Sequence, residues 1–243
     1  MKELSLRAML LAAYISSVAA LPAQVSIGQR IGVSSSTIKY KATHDQELLA
    51  AYEKDLARST GVSIGVPLEV RLGDLFAMQM EPGFSMKGYG HRNGNGSSEL
   101  RLNYAELALL GKAILERGNI GGEVFCGPAV AYGVSIRSIY DTPSPEATST
   151  DELTSFNKSI FAPFQMDVMA GAGVRYRVGV PLLFIQYRYS LGLTGLFTGN
   201  IFFTDVNGNV LTDANARSRS SIVSIGITVP LSAAAWRENV VPE

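Results

Sequence analysis

The stretch APFQMDVMAGAGVRYRVGVPLLFIQYRYSLGL, residues 162–193, decides the fold because it encodes two long strands joined by a short turn. From Phe164 onward, apolar and small residues alternate with polar residues such as Asp167 and Arg175, and period two is the pattern of a strand. After Gly179 the alternation resumes around Arg188. Both strands exceed the five or six residues typical of globular proteins and match the roughly 9–11 residues of a tilted membrane-spanning strand. The stretch therefore predicts a β-hairpin whose apolar face contacts lipid.

The same alternation recurs along the chain and predicts eight strands in all. Residue 67 is a proline inside the second of them, which indicates an edge or a bulge, and the phase of the fourth changes near Asn103, which predicts a bulge there. The predicted strands are residues 24–38, 62–72, 75–89, 100–115, 120–140, 164–178, 183–191 and 218–231.

The connections between these strands alternate between long and short. The predicted long ones are residues 39–61, which hold a short helix at 43–58, and residues 91–98, 141–159 and 194–217, the last with a small hairpin at Asn207 and Gly208. Transmembrane barrels have short periplasmic turns and long external loops, whereas a soluble sandwich gives no reason for strict alternation. The fold class predicted is all-β, an eight-stranded antiparallel transmembrane β-barrel.

The start of the chain has the order of charges and apolar residues of a secretory signal. Lys2 and Arg7 precede an apolar run, and small residues follow it, so we expect export and cleavage of residues 1–23. The remaining division is a barrel domain over residues 24–231 and a periplasmic tail over 232–243 that contains Trp236. Formal charge balances to zero, so composition gives no basic footprint of a nucleic-acid binder.

With the strands laid out, the chain resembles the outer-membrane β-barrel domain family common in Bacteroidota, the porin-like or PorT-like proteins. The resembling segments are LNYAELALLGKAIL (102–115), GGEVFCGPAVAYGVS (121–135), DVMAGAGVRYRV (167–178), FIQYRYSLGLT (184–194) and SIVSIGITVP (221–230). These are patterns of strand and turn without a catalytic signature. The resemblance implies the outer membrane as location and lipid as neighbour, and it implies an accessory role in secretion or envelope assembly as an alternative function.

Charged residues fall on the faces predicted to point inward. An eight-stranded barrel has an interior just wide enough to be filled by side chains, so we expect these charges to pair as a polar network. An ion or proton path is the functional alternative. The predicted members are Arg30, Glu69, Arg71, Glu81, Glu106, Lys112, Glu123, Asp167, Arg175 and Arg188.

Signs of catalysis are sparse in the sequence. His44 and His91 are the only histidines, both in predicted external loops, and no nucleophile motif accompanies them. We therefore expect no enzyme activity, no catalytic residue, no cofactor and no metal. Envelope or secretion proteins that bind the external loops or the tail are the expected protein partners. The competing fold, a soluble lipocalin-like barrel, requires an apolar interior and a polar exterior.

Overall fold

The computed structural model describes residues 25–42, 56–93, 96–141, 150–155, 159–199, 201–204 and 210–231. These residues contain eleven strands: β1 (Val25–Ala42), β2 (Leu56–Gly65), β3 (Leu68–Arg71), β4 (Phe76–Asn93), β5 (Gly96–Arg117), β6 (Ile120–Asp141), β7 (Thr150–Ser155), β8 (Phe164–Arg177), β9 (Leu182–Gly192), β10 (Ile201–Thr204) and β11 (Val210–Pro230). None of the described residues belongs to a helix long and apolar enough to cross a membrane.

The strands form one antiparallel sheet that closes on itself. Around the ring the order is β1, β2 with β3, β4, β5, β6, β8, β9 and β11, and β11 pairs with β1 over seventeen residue pairs from Ser26–Pro230 to Ala42–Ala214. β2 and β3 both pair with β1 and β4, so they occupy one position in the wall and are separated only at Val66 and Pro67. The predicted eight-stranded antiparallel barrel is thus confirmed.

Three short turns lie at one end of the barrel. They join β3 to β4, β5 to β6 and β8 to β9, and each contains a glycine with positive φ: Gly73 (123°), Gly118 (62°) and Gly179 (64°). A residue with a side chain rarely adopts that backbone region, so glycine allows these tight reversals. By the usual arrangement of membrane barrels this is the periplasmic end.

At the opposite end the strands continue where long loops were predicted. β4 runs through His91 to Asn93 and β5 begins at Gly96, so most of the predicted loop 91–98 is a hairpin. The predicted loop 141–159 contains β7, which pairs with β6, and β10 pairs with the start of β11. The predicted helix is wrong over residues 56–58, which begin β2; its residues 43–55 lie outside the described part.

The predicted bulge near Asn103 is confirmed, although it acts on the neighbouring strand. The β5–β6 register shifts between Asn103, opposite Ser135, and Tyr104, opposite Gly133, which leaves the extra residue on β6. Ile136 shares the parity of the outward residues Val124 and Val130, but the shift turns it inward and it is buried. A second shift lies at a similar level between β2 and β4, between Arg58 and Ser63.

The outer surface carries a band of exposed apolar side chains. On β1, β2 and β11 this band ends at Ser35, Thr60 and Ser221, which are neighbours in the register. At the turn end it extends to Leu115 and Ile120. On β1 the band covers the segment of nine residues from 25 to 33. A tilted strand needs about that length to cross a bilayer. We call this surface the membrane band and the part of the barrel above it the external part.

Candidate functional site

Inside the membrane band charged side chains fill much of the barrel, beside a buried apolar cluster that includes Leu110, Phe125 and Met169. Five basic and five acidic residues are buried there, so their charges balance: Arg30, Lys87, Lys112, Arg175 and Arg188 against Glu69, Glu81, Glu106, Glu123 and Asp167. Burying an ion pair is favourable only when the geometry and the surrounding hydrogen bonds are good. The ion pairs form three layers, in which a few buried atoms, such as Nη1 of Arg30 and Oδ1 of Asp167, lack a hydrogen-bond partner.

The middle layer is centred on the Glu81 carboxylate of β4. Arg188 of β9 donates to both oxygens of Glu81 at 2.8 Å each, and Arg30 of β1 donates through Nε to Oε1 at 2.8 Å. Gln79 Nε2 donates to Oε2 at 2.6 Å. One carboxylate thus binds guanidinium groups from two other strands, one of them across the barrel.

The layer nearest the turns is a ring of four charges. Lys112 Nζ lies 2.8 Å from both Glu69 and Glu123, and Arg175 lies 2.8 Å from Glu69 and 3.4 Å from Glu123. Gln186 completes it by donating to Glu123. The ring links β3, β5, β6, β8 and β9.

The upper layer is centred on Lys87, whose ammonium is buried. It lies 2.9 Å from Glu106 of β5 and donates to Asp167 of β8. Ser85 donates to Glu106 at 3.1 Å and Ser190 to Asp167 at 2.9 Å. Each layer therefore combines opposite charges with neutral donors. The layer nearest the turns balances by itself, whereas the middle layer has one extra positive charge and the upper layer one extra negative charge.

Nine of the ten residues predicted for the interior network lie in these layers. The exception is Arg71, which lies at the periplasmic mouth, partly exposed, and pairs there with Glu116. The sequence reasoning left out Lys87 and the three glutamines Gln79, Gln165 and Gln186. The signal was available for Lys87, because it shares the inward parity of Glu81 and Ser85 on β4.

Above the charged layers a cluster of apolar side chains fills much of the interior, beside buried serines such as Ser36 and Ser218. The buried cluster, which we call the apolar plug, consists of Ile38, Leu102, Tyr104, Ala131, Ile136, Phe161, Leu196, Phe197 and Ala216. Phe161 and Phe197 come from the segments that follow β7 and β9; they form an isolated β-bridge and their rings lie 5.4 Å apart. Tyr104 joins the two regions, since Gln165 donates to its hydroxyl at 2.8 Å and Lys87 lies 5.8 Å from its ring centre.

The openings inside the barrel are small. A cavity of about 40 Å³ lies at the turn end, lined by Arg71, Arg175 and Arg177 among others. That volume holds on the order of two or three waters and cannot pass a hydrated solute. In the described residues the charged layers and the apolar plug together occupy the barrel axis.

Among the described residues, no group of three or more histidine, cysteine or acidic side chains is placed to hold a metal ion. His91 lies within β4, and His44 falls outside the described part. The acids of the charged layers all have cationic partners, so none stands free as a base. The signal segment and the Trp236 tail also lie outside the described residues.

One acid of the external part has a pKa that its surroundings displace. Glu99 on β5 is partly buried, and burial raises its pKa, but hydrogen bonds from Arg101 and Ser59 and the charge of Arg101 outweigh burial. Its pKa therefore lies below the usual value, and the carboxylate is ionised at neutral pH. The pair stabilises the wall of the external part only modestly, because solvent screens it.

A comparison with known protein families agrees with this architecture. Residues 18–198 match the family described as outer membrane protein beta-barrel domain. Similar solved structures include neisserial surface protein A (12% identity, TM-score 0.39, covering 84% of this chain and 96% of that one) and Ail, the attachment invasion locus protein of Yersinia pestis (7%, 0.37, 84% and 99%). The outer membrane protease OmpT of Escherichia coli is a third (9%, 0.32, 87% and 98%). No curated protein matches the sequence.

Proposed function

Because this chain belongs to the family of outer membrane protein β-barrel domains, we propose that it is a closed, non-enzymatic barrel of the outer membrane whose external part binds a ligand or protein partner. Family membership implies the location. The soluble lipocalin-like alternative is wrong for the membrane band, where apolar side chains face outward and charges face inward.

The main support for the proposal is that two successive regions of packed side chains fill the barrel interior. Three charged layers occupy the interior within the membrane band, and the apolar plug occupies it above. A solute path would have to break buried ion pairs and then cross packed aromatic and aliphatic side chains, each of which is costly. Transport is therefore disfavoured, which leaves the external part as the region able to act.

In the described residues the external part consists largely of paired strands. β1, β4, β5, β6 and β11 all continue past the membrane band, and β7 and β10 add to β6 and β11. The apolar plug supports this wall from inside. A wall of hydrogen-bonded strands loses less conformational freedom on binding a partner than a flexible loop does.

Conductance of the purified protein in planar bilayers tests the closed state. We expect no stable conductance steps, because the axis is filled. Discrete steps that change in size or ion selectivity in Lys87→Met would contradict the proposal and assign the charged layers to an ion path. Steps unchanged by Lys87→Met would contradict it as well, since another route would then cross the barrel.

The accessory role in secretion or envelope assembly is a second proposal, which the resemblance to PorT-like proteins supports. Deleting residues 232–243 discriminates between the two functions. If secretion fails while the barrel still inserts and shows heat-dependent gel mobility, the accessory role is favoured. If that deletion is silent while substitutions in the external part abolish partner binding, the binding role is favoured.

A further inference from the structure

Four basic side chains lie together on the outer surface directly above the membrane band. They project outward from three adjacent strands: Lys39 from β1, Arg58 from β2, and Arg217 and Arg219 from β11. Lys39 and Arg217 are direct cross-strand partners, and Arg219 is opposite Thr37. Since Ser59 pairs with Ser36, Arg58 also lies beside Thr37. We call these four residues the basic patch.

In the part of the chain whose side chains the structure describes, no acidic residue pairs with the basic patch. None of its four members forms a salt bridge there, and the Nε of Arg219 is buried without a hydrogen-bond partner. Like charges directly opposite each other on neighbouring strands destabilise a sheet. The pairing of Lys39 with Arg217 is therefore unfavourable unless an anion lies against it. The interior behaves differently, because each buried cation there has an acidic partner within 4 Å.

The height of the basic patch coincides with the headgroup layer of a bilayer. Residues rise about 3.3 Å each along a strand tilted by about 40°, so Arg219 lies about 5 Å above Ser35 and Lys39 about 10 Å above it. The headgroup layer begins at the edge of the hydrocarbon and is roughly 5–8 Å thick. Long basic side chains can reach several ångströms downward into that layer.

We propose that the basic patch binds the anionic phosphate of a lipid headgroup in the external leaflet. Guanidinium groups suit phosphate because they donate two parallel hydrogen bonds to it, and an ammonium adds a point charge. Below the patch, on the same strands, lie Ile31, Val33, Val223 and Ile225, all more than half exposed. A lipid contacts both surfaces at once, whereas a soluble anion contacts only the upper one. The continuity of the two surfaces therefore favours a lipid.

Lipid adducts measured by native mass spectrometry on the full chain in detergent test this site. The probe is phosphatidic acid, compared with phosphatidylcholine of identical chains. The test variant is K39Q/R217Q, and the control is R101Q/R117Q, which removes two cations outside the patch. Each basic residue near an anionic surface contributes enough attraction that losing two should weaken phosphatidic acid binding about 30-fold. The control should change it by less than about threefold.

A second measurement separates the proposal from a general loss of charge. Without anionic lipid, K39Q/R217Q should unfold about 1 °C higher than the unmodified chain, because the like-charge pair is gone. With phosphatidic acid present, the unmodified chain should be the more stable of the two. Folding of each variant is checked by heat-dependent gel mobility. If K39Q/R217Q does not fold, R217Q alone replaces it, with an expected loss of about fivefold.

Three results would overturn the proposal. One is equal phosphatidic acid binding by K39Q/R217Q and the unmodified chain. Another is an equal loss in the R101Q/R117Q control, which would indicate an effect of net charge alone. The third is displacement of the lipid by an equal concentration of inorganic phosphate, which would indicate a site for soluble anions. None of these depends on whether the barrel conducts ions, so the closed-barrel function is tested separately.

Discussion

The membrane band and the external part of this barrel place apolar and charged side chains on opposite faces of the wall. In the membrane band apolar side chains such as Ile185 face outward and ion pairs such as Glu81 with Arg188 fill the interior. In the external part Lys39 and Arg217 face outward and the apolar plug fills the interior. One continuous sheet therefore changes from the polarity of a membrane protein to that of a soluble barrel along its axis. The solvent on the outside decides which arrangement is stable.

The change of polarity coincides with irregularities in the sheet. The shift at Asn103 turns Ile136 inward, and the shift between Arg58 and Ser63 lies at a similar level. A bulge changes which face successive residues occupy. The comparison teaches that one or two extra residues suffice to move an apolar side chain from the lipid side of a strand to its interior side.

The largest expected effect is in the charged interior of the membrane band. Glu81→Ala leaves Arg188 and Arg30 buried without their carboxylate and should cost about 4 kcal/mol of folding free energy. Urea unfolding in lipid vesicles, followed by gel mobility, measures it. E81A/R188A should cost less than the sum of the single substitutions, because the pair is lost together. An additive cost would mean that the two residues do not interact.

The next effect is in the apolar plug of the external part. Leu102→Ala should cost about 3 kcal/mol because the packed interior leaves a cavity behind. Leu109 lies on the same strand but faces lipid, and Leu109→Ala should cost only about 1 kcal/mol, since fluid chains close over the space. The same unfolding experiment compares them. Equal costs would contradict the distinction between a packed plug and a lipid-facing surface.

The outer surface should show the boundary between the two regions. Ile225→Glu places a carboxyl group in the membrane band and should cost about 2 kcal/mol. Thr37→Glu places it above the band beside Arg58 and Arg219, where it should cost nothing or stabilise slightly. Unfolding midpoints in vesicles give both values. If Ile225→Glu leaves the unfolding midpoint unchanged, this part of the surface contacts water and not lipid.

The smallest expected effect tests an exception in the membrane band. Gln29 is an exposed amide on the outward face of the band, between Ile27 and Ile31 of β1. Gln29→Leu should therefore stabilise the barrel in lipid by about 1 kcal/mol. The same substitution at Gln165, which donates to Tyr104 inside the barrel, should destabilise it. If both substitutions changed the stability in the same direction, the assignment of Gln29 to the outer face and Gln165 to the inner face would be contradicted.

The sequence alone predicted the membrane band well. Alternation with period two marked the eight wall strands, and the parity of Glu81, Lys112 and Arg175 placed them on the interior face. This worked because a bilayer accepts only apolar outward side chains, so lipid fixes the parity of every spanning strand. The bulge near Asn103 was also visible, as a break in that parity.

Only the tertiary structure decided which charges meet and how the external part is built. Glu81 lies 107 residues from Arg188 in the sequence, and their contact follows from ring closure and strand register, which parity does not encode. The predicted loops 91–98 and 141–159 became partly strand because pairing with long neighbours compensated for their Gly, Asn, Pro and Ser content. Above the bilayer water accepts either face, so the inward position of Leu102 and Ile136 was set by packing against Phe161 and Phe197, residues distant in sequence.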